Sequence, residues 1–567
     1  MPYVAAELMR LPLLLLALGL VQAAPAATVN YTLTPVLTDE VLTAVQIDVR
    51  FRGAESGTTG LSLPDDWGGQ AQLWRELEDL RVVSGARLGP GASPAERILR
   101  HRAGAPVHIR YRVVQNWSRG PAFAEDGNPY RPIIQPGYFH LIGHAAFVLP
   151  ELDEDTQARV RVRGLPAGWR FASDLEHADL RLREVRASVS VGGDFRILDH
   201  EASGLRVAIR GHWSFDDAQL MASVARIVSG HRRFWNEADE PLLVAAIELT
   251  PPDPGISRFG GTSLNGSFAL FATSDKSLEA ILPVLAHEDI HTWIPRRIGD
   301  MPEQDEAGDY WLSEGFSEFY TARLLVADGT WGPREFAENL NRMLADYAKS
   351  PARAFSNARI LADFWNDPAV QQLPYQRGRL LATAWDARLR AGGEHDFDEV
   401  ILGMRERVQA GAAGTAVELL REVTAAMGFD LADDLSRHVA DGEPVILPED
   451  AFAPCGRVAT RRIPAFDLGF DVAATKANLQ YIRGTDPDSR AYAAGLRDGM
   501  KLVRRISGRT GHSETEMAYL VVDGERKREI RYLPQGKVVH IVQSLEIDPG
   551  LDATRLAQCR RVLGGSG

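Results

Sequence analysis

The chain has 567 residues, of which 45% are hydrophobic and 25% are charged, so it has room for about three or four globular domains. Its 63 basic and 76 acidic residues give a net charge of −13, which disfavours nucleic acid as a partner and favours solubility. Composition alone does not identify a substrate.

Residues 1–26 have the pattern of a secretion signal peptide. Arg10 precedes the apolar run Leu11–Val21, and small residues suited to cleavage follow at Ala24-Pro25-Ala26. A retained membrane anchor is the alternative, but the apolar run is short for a bilayer and no second run of about 18 apolar residues occurs. We therefore expect an exported protein, periplasmic or secreted, with no stable membrane span after signal cleavage.

Residues 27–211 predict a β-rich N-terminal domain, because segments such as Val45–Phe51 and Val107–Val113 alternate between apolar and polar side chains. His140 and His144 in this region stand four residues apart. Gly143 argues against a stable helix there, and no acidic residue follows the first histidine. A structural role is therefore favoured over a metal site for this pair.

Residues 212–441 predict the catalytic domain, beginning with a helix over about Ser214–Ala238 and a buried strand at Leu242–Leu249. The following segment, Phe259–Ser267, places glycines among small polar residues. Such a backbone can approach a ligand closely, and an ordinary hairpin turn is the alternative.

A helix predicted over about Lys276–Trp293 carries a candidate metal site. His287 and His291 lie at i and i+4 on one helix face, a spacing that suits two imidazole ligands of one Zn²⁺. Glu288 is placed to take a proton from a zinc-activated water. A surface helix with two histidines is the alternative, so a third ligand is needed.

Glu314 and Glu318 stand four residues apart in the next predicted helix, among aromatic residues that favour partial burial. A His₂Glu set with one open position is typical of catalytic zinc sites, which makes Glu314 the candidate third ligand. Glu318 would accept a hydrogen bond from one histidine and fix its tautomer. A solvent-exposed helix face is the alternative for both carboxylates.

Residues 442–567 predict a Pro-rich linker followed by a strand-rich C-terminal domain. The only two cysteines, Cys455 and Cys559, bracket this domain, and an exported protein can hold them as a disulfide. Two free, buried thiols are the alternative.

Several motifs in this order resemble the glycyl aminopeptidase type of gluzincin zinc metallopeptidase, a secreted family with a C-terminal PDZ domain. The resemblance rests on His287–Trp293, Trp311–Phe316 and Tyr375-Gln376-Arg377-Gly378, with weaker PDZ-type pieces at Leu468-Gly469-Phe470 and Ala494-Gly495-Leu496. It implies a multidomain α+β fold: a β-rich N-terminal domain, a thermolysin-like zinc peptidase domain with a helical extension, and a PDZ-like β domain.

The resemblance also implies site roles. Zn²⁺ would be held by His287, His291 and Glu314, and peptide bonds of peptide or protein substrates would be hydrolysed with Glu288 as the base. Tyr375 matches a tyrosine that hydrogen-bonds the oxyanion, whereas the residues alone favour a packing role for it. A neutral phenol can donate this hydrogen bond at pH 7.

Two departures from the family pattern concern the substrate. The family's glycine-rich loop carries a glutamate that grips the substrate's α-amino group, but the matching stretch here is Gly260-Gly261-Thr262-Ser263-Leu264. Because Ser263 replaces that carboxylate, an endopeptidase or altered specificity is an alternative to an aminopeptidase. Few residues separate Gly508 from Tyr519, so the peptide groove of the PDZ-like domain is predicted to be incomplete.

Two further hypotheses stay open at this stage. A catalytically idle envelope protein would use the peptidase scaffold and the PDZ-like domain for peptide binding. A hydrolase of non-peptide amides or esters would share the same zinc chemistry. The complete set of ligands and base favours the peptidase over the idle protein.

Overall fold

The computed structural model describes residues 28–117, 130–238, 240–249, 258–264, 266–302, 304–393 and 395–565. The predicted signal peptide, residues 1–26, lies outside the described residues. Within these ranges, no helix has the length and apolar character needed to cross a membrane. The predicted multidomain α+β architecture is confirmed at this coarse level.

The described residues form strands throughout the N-terminal region, in the centre of the chain and near its end. The strands are β1 Thr28–Thr38, β2 Val41–Arg52, β3 Thr58–Ser62, β4 Leu77–Ser84, β5 Ala86–Pro90, β6 Glu96–His101, β7 Pro106–Val113, β8 Ile133–Gln135, β9 Tyr138–Ile142, β10 Leu149–Pro150, β11 Gln157–Val162, β12 Arg170–Ser173, β13 Val189–Gly193, β14 Arg196–His200, β15 Leu205–Arg210, β16 Leu242–Leu249, β17 Phe259–Ser263, β18 Ser267–Thr273, β19 Gly456–Phe466, β20 Lys501–Ser507, β21 Met517–Asp523, β22 Arg526–Tyr532 and β23 Gln535–Ile547.

The α-helices of the described residues begin at Gly143 and are most frequent in the second half of the chain. They are α1 Gly143–Ala146, α2 Asp217–Trp235, α3 Leu278–Ile290, α4 Tyr310–Ala327, α5 Pro333–Lys349, α6 Asn357–Asp363, α7 Pro368–Gly392, α8 Phe397–Gln409, α9 Ala416–Ala426, α10 Ala432–Asp434, α11 Val472–Ala477, α12 Arg490–Ala493 and α13 Ala553–Gly564. A π-helical turn, Leu435–Ala440, continues α10.

Three sheets build the N-terminal region, as its alternating pattern predicts. Their strand orders are β11-β1-β2-β7-β4, β10-β3-β6-β5 and β12-β13-β9-β8. The antiparallel pair β1 and β2 sets Leu33 opposite Ile47, and both side chains are fully buried in one apolar core. Burial of one face of each strand specifies this register, since a shift of one residue would expose the whole apolar set.

The catalytic region is built on a mixed sheet of order β14-β15-β16-β18-β17, in which β15, β16 and β18 are parallel and β17 is an antiparallel edge strand. Successive residues of β16 alternate between two cores. Val244 packs with α2 and α3, whereas Ala245 and Ile247 pack with the N-terminal sheet that contains β9. Burial on both faces explains why residues 242–247 form a continuous apolar run.

Helices α4, α5, α7, α8 and α9 enclose a fourth core, which also includes residues from the C-terminal region. Cys455 and Cys559 form a disulfide inside this core, and α13 packs against α4. The core therefore contains residues from both sides of the domain boundary predicted between residues 441 and 442. The boundary itself stays a prediction. The sequence reasoning missed α13, because only Cys559, Leu563 and Gly564 of this helix are buried.

Residues 482–532 have a small core of their own, with Leu496, Met517 and Tyr519 among its members. Strand β20 ends at Ser507 and β21 begins at Met517, and the residues between them form turns rather than a helix. The assignment of a PDZ-like domain with an incomplete peptide groove stays a prediction.

Candidate metal centre

Helix α3 positions the first two predicted ligands. It ends at Ile290, earlier than the predicted Trp293, so His291 is the first residue after the helix. His291 keeps right-handed helical dihedral angles (φ −63°, ψ −9°), and both imidazoles therefore still leave the same face. Pro283 lies within the helix, one turn before His287.

Three candidate ligand atoms converge on one point. His287 Nε2 lies 3.1 Å from His291 Nε2 and 3.2 Å from Glu314 Oε2, and His291 Nε2 lies 3.4 Å from the same carboxylate oxygen. Four ligands around Zn²⁺ at ~2.0–2.2 Å are separated by about 3.3–3.6 Å in a tetrahedron. The observed separations fit this geometry, so the residues present suit Zn²⁺.

The outer nitrogens of the two histidines have different partners. His291 Nδ1 lies 2.9 Å from the carbonyl oxygen of Ile294, to which it can donate, and this leaves Nε2 as the ligand atom. His287 Nδ1 lies 3.2 Å from Glu318 Oε1, although the contact is not aligned as a full hydrogen bond. The carbonyl of Ile294 carried no sequence signal, because any residue offers a backbone carbonyl.

The site is strongly anionic. Burial lowers the pKa of His287, but the close contacts of its two ring nitrogens with the Glu314 and Glu318 carboxylates outweigh burial and raise the pKa above its ordinary value. Burial raises the pKa of Glu314, but the charge of His291 and the contacts with both imidazoles hold it well below its usual range. Carboxylates placed in this way favour a cation between them.

Two glycines bring the predicted tyrosine to this centre. A Cβ atom on Gly315 would lie 2.4 Å from the Cα of Gly378, and a Cβ on Gly378 would lie 1.6 Å from the carbonyl oxygen of Trp311. Helices α4 and α7 can approach this closely only because both positions lack a side chain. Since Gly315 follows Glu314 and Gly378 lies three residues after Tyr375, the crossing sets these two functional side chains close together.

Tyr375 lies within α7 rather than at its start, because the helix already begins at Pro368. Its ring is 6.0 Å from the ring of His287, at an interplanar angle of 24°. Burial and the negative charge of Glu314 raise the pKa of Tyr375 well above its ordinary value, so the phenol keeps its proton at neutral pH.

Tyr130 is a further residue at the site, which the sequence reasoning missed. Burial and the charges of Glu288 and Glu314 raise the pKa of its phenol, which places this N-terminal side chain within electrostatic range of both carboxylates. Its ring meets Trp67 edge to face at 5.4 Å. No local motif marks Tyr130, because its proximity to the site depends on how the two regions pack.

Glu288, half-buried on α3, lies against the edge strand β17. A Cβ atom on Gly261 would lie 2.7 Å from Glu288 Oε1, so this position of the strand tolerates only glycine while the carboxylate stays in place. Burial raises the pKa of Glu288, whereas the two histidines lower it, and burial has the larger effect. The glycines predicted for close backbone approach thus lie beside the predicted base.

The remaining loop residues are positioned by Arg296. Its guanidinium donates to the carbonyl oxygens of Leu264 at 2.7 Å and Ser263 at 3.1 Å. Gly260, Gly261 and Thr262 belong to β17 and pair with β18. All four predicted substrate-loop residues therefore lie on one ordered edge strand next to Glu288.

Comparison with known proteins agrees with this geometry. Residues 280–371 match the profile of the M61 glycyl aminopeptidase family, and this segment contains His287, Glu288, His291 and Glu314. No curated protein matches the chain.

Solved structures similar to this chain include an aminopeptidase N family protein and M1 zinc metallopeptidases. An aminopeptidase N family protein from Idiomarina loihiensis is 16% identical with a TM-score of 0.67, covering 94% of this chain and 100% of that one, and it establishes a shared fold. An M1 zinc metallopeptidase from Deinococcus radiodurans is 18% identical over 75% of this chain and 95% of that one, but its TM-score of 0.45 is too low to support an argument.

The metallopeptidase part of the predicted resemblance is confirmed by the family match, and the geometry of the three ligand atoms agrees with it. The PDZ-like domain stays a prediction. The metal of this site is Zn²⁺. The chain is a zinc metallopeptidase of the gluzincin, aminopeptidase-like type.

Proposed function

We propose that this protein is an exported peptidase that hydrolyses peptide bonds with a water nucleophile, in a thermolysin-like catalytic domain. The observation that carries the proposal is the convergence of His287, His291 and Glu314 at one point, with Glu288 and Tyr375 beside them. These residues come from α3, α4 and α7, so the assembly is a product of the fold and not of one motif.

The chemistry divides between the metal and the side chains. Zn²⁺, when bound, supplies Lewis acidity to the scissile carbonyl and to the attacking water. The Glu288 carboxylate accepts the proton of that water as its oxygen bonds to the carbonyl carbon. Glu288 then delivers the proton to the leaving nitrogen when the carbon–nitrogen bond breaks, which yields a carboxylate and a free amine.

Tyr375 supplies the second catalytic contact. As a phenol that stays protonated, it donates a hydrogen bond to the oxygen on which negative charge develops. Removing one such donor typically costs about 10²–10³ in turnover rate.

Strand β17 provides the substrate-binding edge. Among the described residues it pairs only with β18, so an extended peptide can add to its other side through backbone hydrogen bonds. Ser263 at the end of this strand offers a hydroxyl but no charge to an α-ammonium group. This supports an endopeptidase, or a peptidase of altered specificity, as the second candidate beside an aminopeptidase.

The proposal also covers the location of the protein and the role of its C-terminal domain. The signal-like residues 1–26 and the disulfide between Cys455 and Cys559 support an oxidising location such as the periplasm or the exterior. Residues 442–567 would then hold a linker and a PDZ-like domain that lacks a groove-lining second helix between β20 and β21. Packing or presentation of substrate is its proposed role, rather than independent peptide capture.

A peptide-library digest with free and acetylated N-termini, with and without chelator, tests the proposed function. We expect cleavage that chelator abolishes and zinc restores. Cleavage of acetylated peptides supports the endopeptidase, and complete loss on acetylation supports the aminopeptidase. Absence of chelator-sensitive cleavage for every peptide would refute the peptidase.

A further inference from the structure

A buried arginine lies behind the metal centre. Arg379 stands one turn after Tyr375 on α7, and only 3% of its side chain is exposed. One guanidinium nitrogen, Nη1, lies 3.6 Å from Glu318 Oε2 and donates to Asn339 Oδ1 at 2.7 Å. The other terminal nitrogen, Nη2, has no hydrogen-bond partner among the described residues.

These contacts form a line through four helices. Glu318 on α4 faces His287 of α3 with Oε1, at 3.2 Å, and faces Arg379 of α7 with Oε2. Asn339 of α5 supports the far side of the guanidinium. The carboxylate of Glu318 is therefore held between a metal ligand and a buried cation.

Charge balance explains why a buried cation lies next to Glu318. A buried guanidinium is costly unless it has an anionic partner, and a group of carboxylates is costly unless cations accompany it. Glu288, Glu314 and Glu318 carry three negative charges between them. One Zn²⁺ would bring two positive charges, and Arg296, which interacts electrostatically with Glu288, brings a third. Arg379 is the cation that accompanies Glu318.

We propose that Arg379 is a positioning residue for the zinc site, which acts by holding Glu318 against His287. With Glu318 in place, Nδ1 of His287 carries the proton and Nε2 presents its lone pair towards His291 and Glu314. Without Arg379, repulsion from Glu314 would turn the Glu318 carboxylate towards solvent. Solvent is within reach, since a third of the Glu318 side chain is already exposed. This inference rests on the zinc site of the proposed function, but not on peptide hydrolysis.

Arg377 provides a matched control on the same helix. It is also fully buried, but its guanidinium donates to the carbonyl oxygen of Phe355. Among the described contacts, none joins Arg377 to Glu318, His287 or Glu314. Loss of a buried arginine from α7 can thus be separated from loss of the contact with Glu318.

The experiment measures zinc affinity of the full chain by competition with a chromogenic chelator. The variants are Arg379→Met, Glu318→Gln, both together, Arg379→Lys and Arg377→Met. We expect Arg379→Met and Glu318→Gln each to weaken zinc binding about 10- to 100-fold. The double variant should bind zinc as Glu318→Gln does, Arg379→Lys should recover part of the loss, and Arg377→Met should retain the affinity of the unaltered chain.

Three outcomes would overturn the proposal: unchanged affinity in Arg379→Met, an equal further loss when it is added to Glu318→Gln, or the same loss in Arg377→Met. Circular dichroism of the zinc-free variants reports folding. If Arg379→Met does not fold, Arg379→Lys alone and combined with Glu318→Gln carry the same comparison. Normal zinc affinity without peptide cleavage refutes the proposed function and leaves this test intact.

Discussion

Two pairs of histidines four residues apart occur in this protein, and the fold places them in opposite environments. His287 and His291 converge with Glu314 at distances that suit one Zn²⁺. His140 lies on β9 and His144 on the short helix α1, so the second pair does not share a helix.

The surroundings of the second pair are apolar. His140 is fully buried, its ring meets Phe271 edge to face at 5.0 Å, and neither ring nitrogen has a hydrogen-bond partner among the described residues. His144 stacks on Trp67 with the two rings 4.8 Å apart. Burial lowers the pKa of His140 to about 3, and burial with the charges of Arg186 and Arg296 lowers the pKa of His144 to about 4.

The same four-residue spacing of histidines therefore gives a candidate metal site in one place and a neutral, apolar environment in the other. The presence or absence of nearby carboxylates makes the difference. Burial opposes charge on His287 as it does on His140, but Glu314 and Glu318 from α4 reverse the result. In this protein, the histidine pair that receives an anionic ligand from a second element is the one that forms the candidate metal site.

The largest expected difference is in zinc content. We expect His287→Ala to lose stoichiometric zinc and with it all chelator-sensitive cleavage, because two ligands from separate helices do not retain the metal. His144→Ala should keep both, since no ligand atom is removed. Zinc per chain after dialysis, measured by elemental analysis, checks this pair; zinc retention by His287→Ala would contradict the assignment.

A second prediction separates catalysis from metal binding at the first pair. Glu288→Gln should lower kcat by about 10²–10⁴-fold, because a positioned base is lost, while zinc content stays stoichiometric. Glu279→Gln, an exposed change on the same helix, is the control and should leave the rate unchanged. An undiminished rate in Glu288→Gln would show that another group is the base.

A third prediction concerns the strand beside the base. Gly261→Ala should lower kcat/KM by about 10- to 100-fold, because the added Cβ displaces the Glu288 carboxylate. Gly266→Ala, whose added Cβ would come no closer than 3.7 Å to a neighbouring atom, is the matched control. Equal rates for the two variants in a peptide assay would mean that Glu288 moves aside without cost.

The smallest expected effect is on stability at acid pH, and it belongs to the second pair. His140 has a pKa of about 3 in the folded chain but about 6.5 when unfolded, so below about pH 6.5 only the unfolded chain takes up the proton. Its contribution to stability is full above that pH and is lost as the pH falls towards 3. His140→Leu should therefore reduce the slope of unfolding free energy by about 1.4 kcal/mol per pH unit between about pH 6 and 4.

Denaturant unfolding of the unaltered chain and of His140→Leu at several pH values measures this difference in slope. Groups at the metal site titrate equally in both proteins and cancel. Identical slopes would show that His140 takes up its proton in the folded chain as well.

Local spacing was sufficient to predict much of the site. His287, Glu288 and His291 share one helical segment, as do Glu314 and Glu318, so their mutual placement follows from helix geometry. Residues 242–249 were predicted as a buried strand from their apolar character, and each residue except Glu248 packs into one of two cores. The family resemblance, rather than spacing, indicated a catalytic role for Tyr375.

Long-range contacts were beyond sequence reasoning. Arg379 faces a carboxylate 61 positions earlier in the chain, and Tyr130 reaches the site from the N-terminal region. Helix α13 returns to pack against α4 through few buried residues. None of these features has a periodic pattern, because each depends on how separate elements pack.

The sequence by itself determined the chemical groups available to the site. Helical spacing places the two imidazoles of His287 and His291 on one helix face and the two carboxylates of Glu314 and Glu318 on another, with Glu288 beside the imidazoles as the base. Only the tertiary structure decided which histidine pair receives an anionic ligand and which remains neutral in an apolar core. The physical reason is that the charge state of a buried imidazole depends on groups brought to it from other elements. The close crossing of α4 and α7 at Gly315 and Gly378 places Tyr375 beside the zinc ligands.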